Sequence, residues 1–491
     1  MAAPDELSET VADGERKSHG ARLEAATIGF ALYWVWLWAV NRSPLTVLAH
    51  ADGGGASLNH CISPIASVVV LLVASALCST QRRFELVLLV STLFGTLGMM
   101  VIGLTTIAFP SVETSKTIHY AGNVLTGVGE GGCIFAWAAW LSSMPSNSQR
   151  IYELALSALI ASLLYLICNY LEVGFFALLV TLLLPVSVLL FWSQRNCYEG
   201  LRKERAAQPS QAKLTLGRVY ASLVVFGCAF GLILSISLLG ERYLFINRTS
   251  FGFAALFFLI AIVVSRRGSN SDIFALYKIA APLIIIGYAF FPLNAFGNSP
   301  VFPSVIISVG WRLFDVTIIL VILDIADRLM LLPLRTFGIS RACVILGISI
   351  GRIVGFLLTG TQSLAPYQFI VISAVAITAL TVVNVVFLDF EGIERVRFYF
   401  EGKQKNDSDT AVEQVASPRT LEMVCHDVAL RYGLSRREEE VLLLLARGRD
   451  AKYIENALFI SNATVKTHRH NIYQKLDVHS RQELLNIIES T

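Results

Sequence analysis

The sequence predicts an all-α chain: a polytopic membrane helix bundle of about twelve spans, six plus six, followed by a small four-helix domain. Three observations carry this. At mean hydropathy +0.62, with 55% hydrophobic and 15% charged residues over 491 positions, the chain is too apolar for one soluble domain. Apolar runs of about 20 residues, long enough to cross a bilayer, follow one another as far as residue 388. Beyond them the pattern changes, and short amphipathic segments carry Arg, Lys, Glu and His at helical spacing.

The candidate spans fall at roughly 23–41, 59–79, 84–109, 119–141, 151–171, 174–193, 217–240, 250–265, 274–293, 301–324, 337–359 and 366–388. Loop charge orients them. With the N-terminus inside, the inner segments hold Arg16, Lys17, Arg82, Arg83, Arg150, Arg195, Arg202, Lys203, Arg266, Arg267, Arg328, Arg335 and Arg341, among others. The outer segments hold Arg42, Lys116, Arg242 and Arg248. This is the positive-inside asymmetry, and an even number of spans returns the C-terminus to the same side. The acidic opening, Pro4-Asp-Glu to Asp13-Gly-Glu, lacks the basic start and short apolar run of a cleaved signal peptide. The chain is thus expected to comprise a cytoplasmic tail (1–22), a membrane domain (23–388), a linker (389–420) and a C-terminal head (421–491). Its expected location is the cell membrane, with both termini in the cytoplasm.

The long inner segment at 194–216 divides the spans six from six, with short loops elsewhere. That layout resembles the major facilitator transporter fold. Such transporters usually carry a Gly-x-x-x-Asp-Arg-x-Gly-Arg-Arg-like loop between spans two and three. Here the stretch is Cys78-Ser-Thr-Gln-Arg-Arg-Phe84, which keeps only Arg82 and Arg83, and Ser265-Arg-Arg-Gly-Ser-Asn270 is similarly reduced. The departure argues against active transport.

In the head, an apolar pattern (Leu421, Val424, Val428, Leu430) suggests a short helix ended by Gly433. Ser435-Arg-Arg-Glu438 is a capping box opening a helix with Val441, Leu442, Leu444 and Leu445 inward, closed by Gly448. Asp450 is positioned to cap a second helix, with Ile454, Ala457 and Leu458 inward, and Ser461 or Asn462 to cap a third. On the third, Val465, Ile472 and Leu476 form the apolar face, while Lys466, Thr467 and His470 project away. A fourth, Ser480–Glu489, presents Leu484, Leu485 and Ile488, a stripe suited to core and dimer contact together.

Each element alone describes an ordinary solvated helix; the assembled string is far more specific. Leu434-Ser435, Arg437-Glu438, Glu440-Val441-Leu442, Leu445-Ala446-x-Gly448, Ile460-Ser461, Thr464-Val465-Lys466-x-His468, Ile472-Tyr473-x-Lys475-Leu476 and Ser480-Arg481-x-Glu483-Leu484 resemble the LuxR-type helix-turn-helix of transcriptional regulators. The resemblance implies binding to double-stranded DNA as a homodimer. It assigns base reading to Lys466, Thr467 and His470, and phosphate contact to Thr464, His468, Lys475 and Arg481. Base-edge donors on an inserted helix specify sequence, and phosphate contacts set its register. Two departures stand out: Glu455 replaces a usual small Ala, and Asp477 a usual Gly.

Within the spans, Glu130 (in Gly127-Val-Gly-Glu-Gly-Gly132), Arg312, Asp315, Asp324 and Arg352 (in Gly351-Arg-Ile-Val-Gly355) are ionisable at membrane depth. Glu130, Arg312, Asp315 and Arg352 are candidates to hold a small-molecule ligand, with the glycines permitting close backbone approach. Mutual pairing, Arg312 with Asp315 at i, i+3, is the bland alternative. Trp34, Trp36 and Trp38 read as interfacial or lipid-facing aromatics. The eight cysteines, without CxxC or zinc spacing, read as apolar fillers. No catalytic motif or cofactor signature is evident, so neither an enzyme nor a cofactor or metal is expected. The expected function is a one-component regulator that senses in the membrane and acts on DNA; the rival is a transporter with a regulatory DNA-binding tail.

Overall fold

The structure, a computed structural model, describes residues 24–41, 56–108, 113–195, 197, 210–237, 243–267, 274–296, 302–328, 331–359, 365–386, 421–446, 451–458, 460–478 and 483–484. The tail (1–22), the linker (389–420), Gly448, Asp450, Arg481, Leu485 and Ile488 lie outside them. The chain divides into two compact units, Met1–Glu401 and Gly402–Thr491.

In the first unit a helix occupies each candidate span. These are α1 (24–41), α2 (Ala56–Leu77), α3 (Gln81–Ala108), α4 (Glu113–Ser142), α5 (Asn147–Cys168) and α6 (Val173–Phe191), then α7 (Ser210–Ser237), α8 (Tyr243–Arg267), α9 (Phe274–Phe290), α10 (Phe302–Arg328), α11 (Pro333–Thr359) and α12 (Pro366–Val386). Among the described residues nine helices are long and apolar enough to cross a membrane, and Cys61–Leu77 and Ile279–Leu293 are apolar but shorter. Leucines that would be inside a soluble core stand exposed, among them Leu93 and Leu104 on α3, Leu178 and Leu189 on α6, and Leu357 on α11. That inversion is what a lipid-facing surface requires. The two halves meet along α2–α11 and α5–α8.

Small residues bring these helices together. A Cβ on Gly131 would lie 2.8 Å from the Ser67 carbonyl oxygen of α2, and one on Gly129 would lie 2.6 Å from Gly95 Cα of α3. Gly351 and Gly355 press likewise against Cys228, Leu232 and Ser235 of α7. The glycines beside Glu130 and Arg352 therefore serve helix packing and not ligand approach, which corrects the sequence expectation. Without a hydrophobic drive between helices in lipid, backbone proximity is the main source of packing energy.

A second correction concerns the first span. Trp34, Trp36 and Trp38 are buried, at 0%, 0% and 5% exposure. Phe30 stacks on Trp137 at 5.0 Å, Trp34 lies 5.6 Å from Trp38, and Trp38 meets Phe251 of α8 at 4.6 Å. Trp34 and Trp38, four residues apart, share one face of the helix and Trp36 stands on the opposite one, so burial of all three fits a helix enclosed all round. Cys425 belongs to the head's core; Cys61, Cys133 and Cys168 are buried in the bundle.

The head contains α13 (Leu421–Arg431), α14 (Arg436–Ala446), α15 (Ala451–Leu458) and α16 (Asn462–Leu476). Its core is Val424, Cys425, Val428, Val441, Leu442, Leu445, Ile454, Val465, Ile472, Leu476, Val478 and Leu484. Gly433 at φ +63° turns the chain out of α13 through the left-handed region, where it needs no Cβ. Asp477, at φ 52° and ψ 48°, makes the same turn at the end of α16. A short Asp tolerates that region better than most residues, so the departure from Gly costs little. Of the proposed fourth helix, residues 483–484 are described and helical.

Candidate functional site

The capping box forms as its sequence implies. Ser435 N–H donates to Glu438 Oε2 at 2.8 Å, and Glu438 N–H donates to Ser435 Oγ at 3.3 Å. Lys475 Nζ, from α16, donates to the same carboxylate oxygen at 2.7 Å and to the Gly433 carbonyl at 3.0 Å. Burial pushes the Glu438 carboxyl up, but the hydrogen bonds from Lys475 and Ser435 outweigh it and hold the group down at about 2. Arg437 binds Glu440 at 2.5 Å and the Leu458 carbonyl, at the end of α15, at 2.6 Å. These contacts join the capping turn of α14 to both helices of the reading motif.

A group whose folded value is depressed stabilises the fold above its unfolded value and loses that contribution on acidification. The Glu438 contribution is therefore complete above about pH 4.5 and falls away towards pH 2. Glu438→Gln should lower the head's stability at pH 7 by about 1–3 kcal/mol and flatten its acid limb. Thermal melts of residues 421–491 at pH 7, 4.5 and 3 check this; parallel acid limbs for the two proteins would remove the assignment.

Ser461, rather than Asn462, caps α16: its Oγ accepts from Thr464 N–H at 3.2 Å. The Asn462 amide reaches Glu455 at 3.1 Å, so the acidic departure at Glu455 links α15 to α16. Val465, Ile472 and Leu476 are buried as predicted. Lys466, Thr467 and His470 are exposed on the opposite side, and His468 and Thr464 are half-buried at its border. Arg469, exposed one turn beyond Lys466, joins the same surface and was missed; its i, i+3 spacing was the available signal. Leu484 is fully buried in the core. Lys475 is exposed, and its ammonium is committed within the head.

In the bundle, a cavity of about 50 Å³ is lined from both halves. The first half supplies Leu37, Trp38, Asn41, Pro64 and Glu130; the second supplies Phe230, Leu234, Trp311, Asp315, Arg341, Ile345, Ile348 and Arg352. Three of the four candidate residues thus converge, and Arg341 joins them. Sequence reasoning had placed Arg341 on an inner loop, yet it is 4% exposed on α11 and ion-paired with Asp315. The Asn41 amide faces Glu130 Oε2 at 3.5 Å, and Tyr33 Oη–H donates to the Glu130 carbonyl at 3.0 Å.

Arg312 lies elsewhere. Its guanidinium donates to Asn247 Oδ1 at 2.7 Å and Ser250 Oγ at 3.0 Å and stands 3.3 Å over the Phe251 ring, tying α10 to α8. The i, i+3 pairing with Asp315 does not form because Asp315 points to Arg341. Arg150, also expected in a loop, is buried on α5 and paired with Asp327 of α10 at 2.7 Å. Beside it, Asp324 accepts from Asn147 at 3.2 Å.

Comparison with known proteins separates the two parts. Residues 433–488 match the GerE family, described as bacterial regulatory proteins of the luxR family. The uncharacterized response regulatory protein YgeK of Escherichia coli K12 is 46% identical over 70 residues, which is 13% of this chain. The chain spans about half, 48%, of that relative's length. The bundle superposes on solved transporters: a bacterial homologue of the iron transporter ferroportin, outward-facing with soaked iron, at TM-score 0.54 and 15% identity, covering 75% of this chain and 98% of that one. The major facilitator proton:xylose symporter XylE matches at TM-score 0.50 and 10% identity, covering 74% and 95%. At these identities the likeness is one of fold. Residues 433–488 are accordingly a luxR-family regulatory domain, carried in one chain with a multi-pass helical membrane bundle of the major facilitator fold.

Proposed function

We propose that this protein is a membrane-integral one-component transcriptional regulator. The head binds double-stranded DNA in a sequence-specific manner as a homodimer, and a small molecule sensed in the bundle controls it. The observation that carries the reading is the union, in one chain, of a luxR-family domain with a cavity lined by charged residues from both halves of a membrane bundle. A ligand shifts an equilibrium only through unequal contacts with two states, and a cavity lined from both halves would make unequal contacts if the halves moved relative to one another. On the head, Lys466, Thr467 and His470 read bases, and Thr464, His468 and Arg481 hold phosphates. Lys475 orders the capping turn and adds charge beside the backbone. The protein sits in the cell membrane with both termini cytoplasmic, a placement supported by basic residues such as Arg82, Arg83, Arg266 and Arg267.

The reading predicts that Glu130→Gln leaves protein abundance unchanged and abolishes or shifts the response to inducer. A promoter reporter read beside a quantitative blot tests it; normal induction in a well-expressed variant removes the cavity from the sensing role. Orientation has its own check. Cysteine-reactive impermeant labels should reach positions 50–58 from outside, and 403–410 only after permeabilisation; external labelling of 403–410 would separate the head from DNA.

The cavity between the halves also favours a second reading, a transporter whose tail regulates transcription. It requires substrate accumulation that depends on Glu130 or Asp315, whereas sensing alone requires a transcriptional response without flux.

A further inference from the structure

Four ionisable side chains face the cavity described above, two of each sign: Glu130 and Asp315 against Arg341 and Arg352. Glu130, Arg341 and Arg352 are each at most 5% exposed. With Asp315 and Arg341 ion-paired, the formal charge of the lining is zero. An occupant with net charge would leave that charge uncompensated in a desolvated site, which is strongly unfavourable. A neutral apolar occupant would offer no hydrogen bond to any of the four ionisable groups that line the cavity. An occupant carrying one positive and one negative group meets neither penalty.

The distribution of the lining adds direction. The first half brings a carboxylate, an amide and an indole together at Glu130, Asn41 and Trp38, a combination suited to an ammonium group. The second half brings Arg341 and Arg352, and a guanidinium suits a carboxylate. Phe230 and Trp311, stacked at 4.0 Å, give an apolar wall for the hydrocarbon between them. The volume of about 50 Å³ corresponds to a few water positions, which limits the occupant to small-metabolite size.

We infer that the cavity takes a small zwitterion of amino-acid type, its ammonium held by the Glu130 side and its carboxylate by the Arg352 side. This rests on the sensing reading above and names its ligand class. Because the two groups engage opposite halves, the bound molecule stabilises the arrangement in which the halves are close. Its differential affinity is therefore built into the bridging geometry.

The test uses the full-length protein in lipid nanodiscs and titrates glycine, alanine and serine, each beside its methyl ester and its N-acetyl derivative. The ester keeps only the ammonium and the N-acetyl form only the carboxylate. Tryptophan fluorescence reports occupancy, since Trp38 and Trp311 line the site. At least one zwitterion should bind about tenfold or more tightly than both of its derivatives, the loss expected when a charge-assisted hydrogen bond goes. Glu130→Gln should erase the preference over the N-acetyl form, and Arg352→Gln the preference over the ester. Equal binding of the three forms would overturn the ligand class while leaving the cavity as a binding site. Absence of binding by every zwitterion, in a protein whose reporter still responds to another molecule through Glu130, would also overturn the class and spare the sensing reading. A reporter indifferent to Glu130 would overturn both.

Discussion

Replacing Lys466 or His470 by alanine should lower the affinity of residues 421–491 for a selected DNA site by about 5- to 150-fold, equivalent to roughly 1–3 kcal/mol at the contacted base pair. The effect should be confined to some sequences, because a base-edge contact discriminates. Neither side chain supports the fold: both are exposed, on the face of α16 opposite Val465, Ile472 and Leu476. Melting temperature should accordingly stay at the wild-type value. Arg469→Ala belongs to the same experiment, and either a sequence-dependent or a uniform loss would sort it between base and phosphate contact. Lys475→Ala should behave differently, weakening all sequences alike and also destabilising the head, since its ammonium joins Glu438 and Gly433. Binding curves over a range of salt concentrations, beside thermal melts, make the comparison. A well-folded Lys466→Ala head with unchanged affinity and preference would contradict the assigned reading surface.

In the bundle the largest expected effect is at Arg341. Removing it by Arg341→Ala leaves the Asp315 carboxylate enclosed without its partner, a change that costs about 3–5 kcal/mol when a buried pair is broken from one side. Membrane abundance should fall sharply. The double variant Arg341→Ala with Asp315→Ala should recover part of the loss, because it removes the stranded charge as well. Quantitative blots of the single and double variants, with detergent-extracted melting curves, test this. An additive double variant would show that the pair is not a unit. Glu130, whose carboxylate faces the neutral Asn41 amide, should tolerate neutralisation far better.

The head was legible in detail because its determinants are local. The capping box at Ser435 and Glu438 and the inward set Val441, Leu442, Leu445, Val465, Ile472 and Leu476 follow from spacing along one helix, and each appears where the periodicity places it. At Asp477 the sequence showed only a departure from a usual Gly, and it is the structure that places the residue in the left-handed region.

In the membrane domain, the sequence by itself determined that helices occur at the twelve candidate positions, because runs of apolar residues need no knowledge of neighbours. It could not determine which way any side chain faced. In lipid both outside and inside are apolar, so the amphipathic signal that orients a soluble helix is absent. That is why Trp34 and Trp36 read as lipid-facing and proved enclosed, and why the glycines flanking Glu130 read as ligand access and proved to be helix contacts. It is also why Arg312 and Asp315 looked like partners on one helix. Tertiary packing instead gave Asp315 to Arg341, 26 residues further on, and Arg312 to Asn247 and Ser250. A charge at membrane depth chooses whichever partner the neighbouring helices bring within reach, and only the assembled bundle fixes that choice.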